Sequence, residues 1–475
     1  MAKKILFAII PLILSIGLAS TFSFSEADAE RTQICIDKVW MEKTNGKIAC
    51  VTPSTADKLV QRGWGTILSE DDMKEDTEKI VPYTPGMTID YEAELSLVPQ
   101  VDGGTAALTV TPIIGTPDRE FSKTYVAGTE ELAANEMRIT FCGTGMPYPV
   151  YQQASACVIV ELGNGDVFLF DIGADSVGRI NGMQIDTDKL NKIFLGHLHL
   201  DHAGDLGILW AQGGFAGRSV PLEVYGPSGP NHSLGTEVFV ENTLAAGQWD
   251  LESRKVGIPT VGMAINTHEF EWDQTQIVYE ENDVTITSFP AIHILDGAVS
   301  YRLDWNGLSF VFSSDTEPNK FLVENSQNVD VLIHEGFIPA QTLSDITGMP
   351  LETATWISEK IHTPPDAAGV VFDMTKPKLA VLYHVILTQE VITESFELLR
   401  TTYDGPALYG EDLVTINVTP DYIISRPTEI VKNAYPEYKS VDGEVTGSEF
   451  ALSDWVEEAR IDWKSIKEEK LKENQ

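Results

Sequence analysis

From residue 137 onward the chain is organised by short hydrophobic runs. Apolar and polar residues alternate through Met137–Phe141, a period of two that predicts a β-strand, and this run leads into Gly143-Thr144-Gly145. The next runs, Cys157–Glu161 and Val167–Phe170, are rich in Val, Ile and Phe and are separated by Asn and Gly. This hairpin spacing predicts that the domain begins with β structure.

Farther along the chain, predicted strands alternate with predicted helices. The predicted strands are Lys192–Leu195, Leu222–Tyr225, Val284–Phe289, Val299–Leu303, Leu308–Phe312, Val329–His334 and Leu379–Tyr383. One helix is predicted over Glu352–Ile361, and another begins at Pro364-Pro365, where Thr363 is predicted to cap it. This order predicts an α/β fold with sheets inside and helices outside.

Two segments show weaker periodicity. Residues 231–282 form a predicted insertion carrying His232, Trp249, His268 and Trp272, and long loops between core strands are usually lids or functional segments. We expect His232 and His268 to lie at the surface. The sequence beyond Arg426 predicts an amphipathic helix followed by a solvent-exposed helix. We interpret this segment as a tail whose first helix covers part of the domain.

The N-terminus predicts export. Lys3 and Lys4 precede an apolar stretch, residues 5–19, and Ala27-Asp28-Ala29 offers a small-residue cleavage site. Residues 1–29 therefore predict a signal peptide, and the mature chain is expected to start near Glu30 and to be secreted. A membrane span needs about twenty apolar residues, so no span is expected after removal of the signal, with an uncleaved anchor as the alternative.

The four cysteines suit an exported protein. Cys35 and Cys50 predict a disulfide in a small module over residues 30–66, followed by a linker and poorly assigned extension over residues 67–136 in which Ala106–Val110 is a candidate strand. Cys142 and Cys157 lie at the ends of neighbouring predicted strands. For that pair, a second disulfide and two buried thiols both remain open.

The charge balance indicates which class of partner the chain can bind. The chain has 33 Lys and Arg against 71 Asp and Glu, a formal net charge of −38. Nucleic-acid binding depends on cationic side chains that neutralise phosphates. The composition therefore disfavours nucleic acid and favours a small-molecule substrate, with the chain acting as a monomer or a homo-oligomer.

The strongest chemical signal is a cluster of histidines. His197, His199 and His202 fall within six residues together with Asp201, and no histidine precedes them in the chain. Imidazole and carboxylate are ligands that zinc prefers. The run follows a predicted strand, so one loop could supply ligands to two neighbouring metals.

Other metal-binding residue types follow predicted strands. His293 comes shortly after one strand, Asp315 ends another and His384 ends a third. A residue at the end of a buried strand points into the cleft above the sheet. We therefore expect these three side chains to converge on the histidine cluster.

These motifs together resemble the five motifs of the metallo-β-lactamase fold: Phe170-Asp171-Ile172-Gly173, His-x-His-x-Asp-His at 197–202, His293, Asp315 and His384. The resemblance covers residues 137–427, with 428–475 as an acidic helical tail. It implies a four-layered αββα sandwich carrying an added N-terminal module. In that family the aspartate matching Asp171 supports the metal ligands from behind.

Within the superfamily, the chain is similar to the ribonuclease Z and arylsulfatase branch. Gly143-Thr144-Gly145, Ile333-His334-Glu335-Gly336 and His362-Thr363 occur there in the same order. Tyr225–Gly229 and Pro290–Leu303 also resemble hydrolases of the guanitoxin-biosynthesis type. Two departures separate the chain from tRNA-processing members: it has no basic, Gly-rich arm, and Val385–Thr388 replaces the Ser-x-Arg-Tyr that follows the last histidine.

The resemblance implies a dinuclear zinc site, with manganese or iron as alternatives. His197, His199 and His293 would hold one ion, Asp201, His202 and His384 the other, and Asp315 would bridge both. A hydroxide between the ions would attack an ester, which we expect to be a phosphodiester, a sulfate ester or a lactone-like ring.

The resemblance also assigns supporting roles. His362, 22 residues before His384, would protonate the leaving group, and Asp201 and Glu335 would take part in catalysis. His334 and Glu335 would orient the ligands through hydrogen bonds. The alternatives are a ribonuclease Z-like phosphodiesterase, a noncatalytic exported protein of this fold and a di-iron redox site.

Overall fold

The computed structural model describes residues 113–473, except for 149, 256–260, 437, 440–449 and 451, and also three short strands near the N-terminus. These strands are β1 (Val39–Lys43), β2 (Ile48–Val51) and β3 (Gly65–Ile67), and they pair in the order β2-β1-β3. They fall within or beside the predicted cysteine module. The predicted signal peptide, the Cys35–Cys50 disulfide and the candidate strand at 106–110 lie outside the described residues.

The remaining described strands lie between residues 113 and 429. In chain order they are β4 (Ile113–Gly115), β5 (Tyr125–Val126), β6 (Met137–Gly143), β7 (Cys157–Leu162), β8 (Val167–Phe170), β9 (Lys192–Phe194), β10 (Leu222–Pro227), β11 (Ile265–Phe270), β12 (Gln276–Glu281), β13 (Val284–Pro290), β14 (Val299–Trp305), β15 (Leu308–Phe312), β16 (Val331–Glu335), β17 (Leu379–Tyr383), β18 (Ala407–Tyr409), β19 (Val414–Val418) and β20 (Tyr422–Glu429).

Helices connect these strands. In chain order they are α1 (Val177–Gly182), α2 (Leu200–Ala203), α3 (Leu206–Phe215), α4 (Thr236–Ala246), α5 (Gln248–Arg254), α6 (Lys320–Asn325), α7 (Ala340–Thr347), α8 (Leu351–Lys360), α9 (Pro365–Thr375), α10 (Gln389–Leu399), α11 (Asp454–Glu457) and α12 (Trp463–Glu473). Among these described helices, none has both the length and the apolar character needed to cross a membrane.

Two mixed sheets form the centre of the fold. The first has the strand order β11-β10-β9-β8-β7-β6-β19-β20-β4, with β5 also paired to β20. The second has the order β12-β13-β14-β15-β16-β17-β18. In each sheet an antiparallel half adjoins a parallel half, and the parallel strands β9, β15, β16 and β17 all lead into residues of the candidate site.

Three hydrophobic clusters define four layers. The largest contains inward-facing residues of both sheets, among them Phe170, Phe194, Tyr301 and Phe310. A second packs the outer face of the first sheet against α1, α3 and α4, and a third packs the outer face of the second sheet against α6 to α10. The α/β fold class and its αββα layering are therefore confirmed.

The alternation in β6 shows how local sequence selects these faces. Met137, Ile139 and Phe141 pack between the two sheets. Arg138 points to the other face, where its guanidinium donates a hydrogen bond to the Tyr125 hydroxyl at 2.9 Å. Since both faces of β6 are covered, its polar residues are also buried, and each needs a partner there.

The second cysteine pair forms a disulfide. Cys142 near the end of β6 is bonded to Cys157 at the start of β7, and the two strands are antiparallel neighbours. This resolves the choice left open by the sequence between a disulfide and two buried thiols.

Two expectations about local structure are wrong. Residues 231–282 are not a long loop: they contain α4 and α5, and β11 and β12 complete the edges of the two sheets. Thr363 does not cap α9, because Pro364 holds the N-cap position and the Thr363 hydroxyl instead donates to the carbonyl oxygen of Thr316. The periodicity is weak in the first case because the segment changes from two short helices to two short strands, so no single period extends through it.

Candidate metal centre

The segments that follow four strands carry the candidate ligands. The segment after β9 supplies His197 and His199 and leads directly into α2, which carries Asp201 and His202. His293 follows β13, Asp315 follows β15 and His384 follows β17. Because both sheets end at the same edge of the sandwich, residues from distant parts of the chain meet there.

The first group of ligands consists of His197, His199, His293 and Asp315, whose donor atoms lie within 4.8 Å of one another. His197 Nε2 is 2.9 Å from His199 Nδ1 and 3.9 Å from Asp315 Oδ2. His293 Nε2 is 3.8 Å from the same carboxylate oxygen. Three imidazoles and one carboxylate therefore converge on one point.

The second group consists of Asp201, His202, Asp315 and His384, all of them buried. His384 Nε2 lies 3.2 Å from Asp201 Oδ2 and 3.3 Å from His202 Nε2. His202 Nε2 is 3.3 Å, and His384 Nε2 3.5 Å, from Asp315 Oδ1. Two imidazoles and two carboxylates converge on a second point.

Asp315 belongs to both groups through different oxygen atoms. Its Oδ2 faces His197 and His293, whereas its Oδ1 faces His202 and His384. A carboxylate with this geometry can bridge two metal ions. The structure thus brings together all seven predicted ligands and places the aspartate between the two groups.

The donor atoms fit divalent metal ions. Bonds of about 2.0–2.1 Å in a tetrahedral site place ligand atoms roughly 3.3 Å apart, close to the spacings in both groups. His293 Nε2 and Asp315 Oδ1 are buried and have no hydrogen-bond partner among the described residues. Buried polar atoms without partners are costly, and a bound ion would satisfy both.

Asp171 supports this arrangement from behind. One carboxylate oxygen accepts a hydrogen bond from the Gly196 backbone amide at 2.7 Å, and the other lies 2.6 Å from His202 Nδ1. Ser314 also donates to Asp171, at 3.2 Å. The bond to Nδ1 directs His202 Nε2 towards the second group, so Asp171 fixes the orientation of a ligand.

The backbone is strained at three of these positions. Asp171, Ser314 and His384 adopt φ values of 57°, 51° and 63°, in the left-handed region that residues with a Cβ rarely occupy. Such strain costs of the order of 1–3 kcal/mol per residue and persists where surrounding contacts enforce it. It turns each strand end sharply towards the cleft.

Gly196 allows the metal-binding loop to approach the second sheet. A Cβ at this position would lie 2.2 Å from the Ser314 hydroxyl oxygen and 2.4 Å from its Cβ. Any other residue would therefore push His197 away from Asp315. The structure therefore requires glycine at the position before His197, which the sequence pattern alone did not indicate.

A third cluster borders the second group. His362 Nδ1 lies 2.8 Å from Glu335 Oε2 and 3.8 Å from Asp315 Oδ2. The His362 ring stacks on Phe337 with 4.0 Å between ring centroids and an interplanar angle of 1°. Glu335 also accepts a hydrogen bond from the Thr316 backbone amide. Glu335 and Phe337 together hold the His362 imidazole at the edge of the metal-binding groups.

His334 lies away from the ligands. Its Nδ1 donates to the backbone carbonyl oxygen of Glu335 at 2.9 Å, and its ring packs against Phe372. Its contacts are on the outer face of the second sheet, because neighbouring residues of a strand point to opposite faces. His334 therefore does not orient a ligand directly, in contrast to what the motif implied.

The remaining two histidines lie outside the cleft. His268 on β11 is 2.7 Å from Glu223 Oε2 and stacks on Tyr225 with 4.3 Å between centroids. His232 is exposed at the surface, near Glu237 and Glu269. Neither residue contacts the two ligand groups.

The electrostatics favour metal-binding protonation states in the first group. Burial lowers the pKa of His197 well below its usual range and that of His293 to about 4, so both imidazoles are neutral at neutral pH. Burial raises the pKa of Asp315, but the imidazoles of His202 and His384 outweigh it and hold that pKa well below its usual range. Neutral imidazole and ionised carboxylate are the forms that bind metals.

Sequence reasoning missed the residues that position His384. The Gln153 side-chain amide donates to the Val385 carbonyl oxygen at 2.6 Å and accepts from the Leu387 amide at 3.2 Å. It also donates to the Thr144 hydroxyl, which in turn donates to Asp412. Gln153 thus holds the backbone directly after His384, whose φ is strained. A glutamine in a loop is common in any sequence, so its presence alone does not indicate that it positions a ligand.

We expect Gln153→Met to weaken metal binding by the second group by about 10- to 100-fold while sparing the first group. Methionine keeps the volume but cannot hold the backbone after His384. Competition with a chromophoric chelator would resolve the two affinities. Gln212→Met is the matched control, because the Gln212 side-chain amide exchanges hydrogen bonds with Asn181 between α1 and α3 and, among the described residues, with no other side chain. Equal weakening of both metals would indicate general loosening and contradict the assignment.

Comparisons with known proteins identify similar sequences. The family model described as Anti-Pycsar protein Apyc1 matches residues 137–344. The ribonuclease Z of Mycobacterium avium strain 104 is 30% identical over 228 residues, which are 44% of this chain and 76% of that enzyme. The ribonuclease Z of Methanococcus maripaludis strain C7 is 29% identical over 157 residues, which are 33% of this chain.

The coverage of these relatives differs. The match spans 45% of the length of the Methanococcus maripaludis strain C7 enzyme. The chain therefore covers about half the length of the ribonucleases Z of this species that it matches. Among solved structures, the metallo-β-lactamase fold protein YhfI of Bacillus subtilis is 18% identical with a TM-score of 0.46. That alignment covers 60% of this chain and 100% of YhfI.

Proposed function

Because the chain belongs to the ribonuclease Z branch of the metallo-β-lactamase fold superfamily and is a metal-dependent hydrolase of ester bonds, we propose that it is a dinuclear zinc phosphodiesterase. Names of relatives favour phosphodiester cleavage over the sulfate esters and lactones that the sequence also allowed. A kinship with guanitoxin-biosynthesis-type hydrolases stays a prediction from the sequence.

The observation that carries this proposal is the position of Asp315 between two complete ligand groups. Each of its carboxylate oxygens faces a different group, at 3.3–3.9 Å from the imidazole nitrogens. His197, His199 and His293 would hold one ion, and Asp201, His202 and His384 the other. A pair of divalent ions supplies an activated water and positive charge that neutralises the developing oxyanion.

The residues of the chain supply the remaining steps. His362 is held by Glu335 and Phe337 at the edge of the second group, where it can donate a proton to the departing alkoxide oxygen. Asp171 and Gly196 keep His202 and His197 in place. The candidate metal ligands and the proton donor His362 are thus positioned before substrate arrives, which lowers the cost of reorganisation.

Zinc and export also remain proposals. Nitrogen-rich sites with carboxylates suit zinc, and manganese or iron could occupy the same ligands. Residues 1–29, whose composition predicts a signal peptide, lie outside the described residues. An exported location is supported by that composition and is consistent with the Cys142–Cys157 disulfide.

Metal analysis combined with a substrate panel tests the proposal. We expect the purified chain to contain about two zinc ions and to hydrolyse bis(p-nitrophenyl) phosphate faster than p-nitrophenyl sulfate or a chromogenic lactone. A chelator should abolish hydrolysis, and added zinc should restore it. Hydrolysis that persists in metal-free protein, or a preference for sulfate or lactone, would reject a zinc phosphodiesterase.

A further inference from the structure

We propose that Ser314 is a positioning residue for both metal-binding groups, because its hydroxyl joins a ligand of the first group to the support of a ligand in the second. This role rests on the proposed function, since it concerns the ligands of the same two ions. Three features of the structure support it: the contacts of the hydroxyl, the strained backbone of Ser314 and the glycine that makes room for its side chain.

The Ser314 hydroxyl lies between two side chains of the metal centre. Its Oγ is 3.3 Å from His197 Nδ1 and donates a hydrogen bond to Asp171 Oδ2 at 3.2 Å. The same carboxylate oxygen lies 2.6 Å from His202 Nδ1. All four side chains are buried. These contacts form one chain of hydrogen bonds that runs from His197, in the first group, to His202, in the second.

The number of protons fixes the direction of these hydrogen bonds. An ionised carboxylate only accepts, and a hydroxyl has a single hydrogen to donate. Because that hydrogen is directed to Asp171, the Ser314 oxygen accepts from His197, whose Nδ1 then carries the proton. A neutral imidazole has one protonated nitrogen, so the free electron pair of His197 is on Nε2. Nε2 is the atom that faces Asp315, and the hydroxyl therefore selects the tautomer that binds metal.

Ser314 holds this position on a strained backbone. Its φ is 51°, in the left-handed region that residues with a Cβ rarely adopt. Glycine would adopt the same φ without strain. Strained residues persist where surrounding contacts enforce them, and they concentrate at functional sites. Here the strain accompanies a side chain that contacts both Asp171 and His197, which indicates that the side chain has a function.

Gly196 leaves the space that the Ser314 side chain fills. A Cβ on Gly196 would lie 2.2 Å from Ser314 Oγ and 2.4 Å from Ser314 Cβ. The Gly196 amide also donates to Asp171 Oδ1 at 2.7 Å, while Ser314 donates to Oδ2. The glycine before His197 and the serine after β15 thus bind the two oxygens of one carboxylate. They form a matched pair that holds the metal-binding loop against the second sheet.

The double contact distinguishes Ser314 from Gln153, which supports only the second group. Without the hydroxyl, His197 would lose the acceptor for its Nδ1 proton and Asp171 would lose one donor. Loss of a hydrogen-bond partner behind a metal ligand lowers metal affinity about 10- to 100-fold. We therefore expect substitution of Ser314 to weaken the binding of both ions.

Two substitutions separate the hydroxyl from the backbone strain. Ser314→Ala removes the hydroxyl and keeps the strain, whereas Ser314→Gly removes both. We expect both variants to bind both zinc ions about 10- to 100-fold more weakly, and to a similar extent, in competition with a chromophoric chelator. Between the two metal-free variants, the glycine variant should have the higher Tm, because glycine adopts the left-handed φ without strain.

Two variants away from the ligands are the matched controls. Ser309→Ala removes a buried hydroxyl at the other end of β15, where it bonds to Asp330. Lys376→Gly relieves a φ of 52° at the end of α9. Both controls should keep the two zinc affinities of the native chain, so neither a lost buried hydroxyl nor relieved strain would by itself explain weaker binding.

The tautomer of His197 can be measured without metal. Spectra of the metal-free native chain with ¹⁵N-labelled histidine should show His197 protonated at Nδ1, with its signal assigned from the spectrum of His197→Gln. Ser314→Ala should give a mixture of the two tautomers. A native His197 protonated at Nε2 would contradict the proposed direction of the hydrogen bonds.

The zinc affinities decide between the remaining outcomes. Ser314 variants that keep both affinities, or that weaken only one ion, would overturn the role of Ser314 and leave the proposed function intact. A larger loss in Ser314→Ala than in Ser314→Gly would assign the effect to backbone strain and contradict a role of the hydroxyl. A native chain that binds no zinc would reject the proposed function itself.

Discussion

Replacing Asp315 with alanine is expected to lower kcat for a phosphodiester by on the order of 10³-fold or more and to remove most of the second metal. Each oxygen of Asp315 faces one ligand group, so the substitution removes a ligand from both ions at once. Metal ions contribute several kcal/mol of transition-state stabilisation, and each 1.4 kcal/mol corresponds to about a tenfold change in rate. Elemental analysis and steady-state kinetics on the same preparation would measure both effects.

Asp330→Ala provides the matched control for Asp315→Ala. Asp330 is a buried aspartate beside the same sheet, but it accepts hydrogen bonds from Ser309 and pairs with Lys378, far from the ligands. Its removal should cost about 1–3 kcal/mol of unfolding free energy and leave the metal content unchanged. If Asp315→Ala retained two metals and full activity, the bridging assignment would be wrong.

Replacing His362 with glutamine is expected to slow cleavage of esters with poor leaving groups by about 10²- to 10⁴-fold. An alkoxide needs a proton to depart, whereas p-nitrophenolate departs readily without one. The loss should therefore be small for bis(p-nitrophenyl) phosphate and large for an alkyl diester. Kinetics with a series of leaving groups of rising pKa would show a steeper dependence in the variant.

The metal content of the His362 variant separates two roles. His362 lies 3.8 Å from Asp315 and within the cluster that also contains Glu335 and His384, so it could serve as a ligand instead of a proton donor. As a proton donor it should leave two metals in place. His268→Gln, at the surface beside Glu223, controls for the loss of an imidazole. A rate loss that is independent of the leaving group would argue against proton donation.

The sequence predicts much of the candidate site because ligand chemistry is local. Residues 197–202 combine three imidazoles and a carboxylate in one short run. Neither a buried core segment nor a solvated loop requires that composition. His293, Asp315 and His384 each end or follow an apolar strand, a position that is also readable from hydrophobic pattern alone. All seven residues lie together in the structure.

Other parts of the site could not be read from the pattern. Ser314, Phe337 and Gln153 are ordinary residues whose roles depend on partners far away in the chain. His334 and Glu335 share one motif but point to opposite faces of β16, so only Glu335 reaches His362. The segment 231–282 has the pattern of a loop because it changes from two short helices to two short strands, so no single period of apolar residues extends through it.

The sequence by itself determined most of the strands that lead to the site, the α/β class and the candidate ligands, because these follow from local periodicity and side-chain chemistry. Only the tertiary structure decided that the two oxygens of Asp315 face different ligand groups and that Gly196 permits this approach. The physical reason is that these distances depend on how two sheets pack, and packing joins residues more than a hundred positions apart.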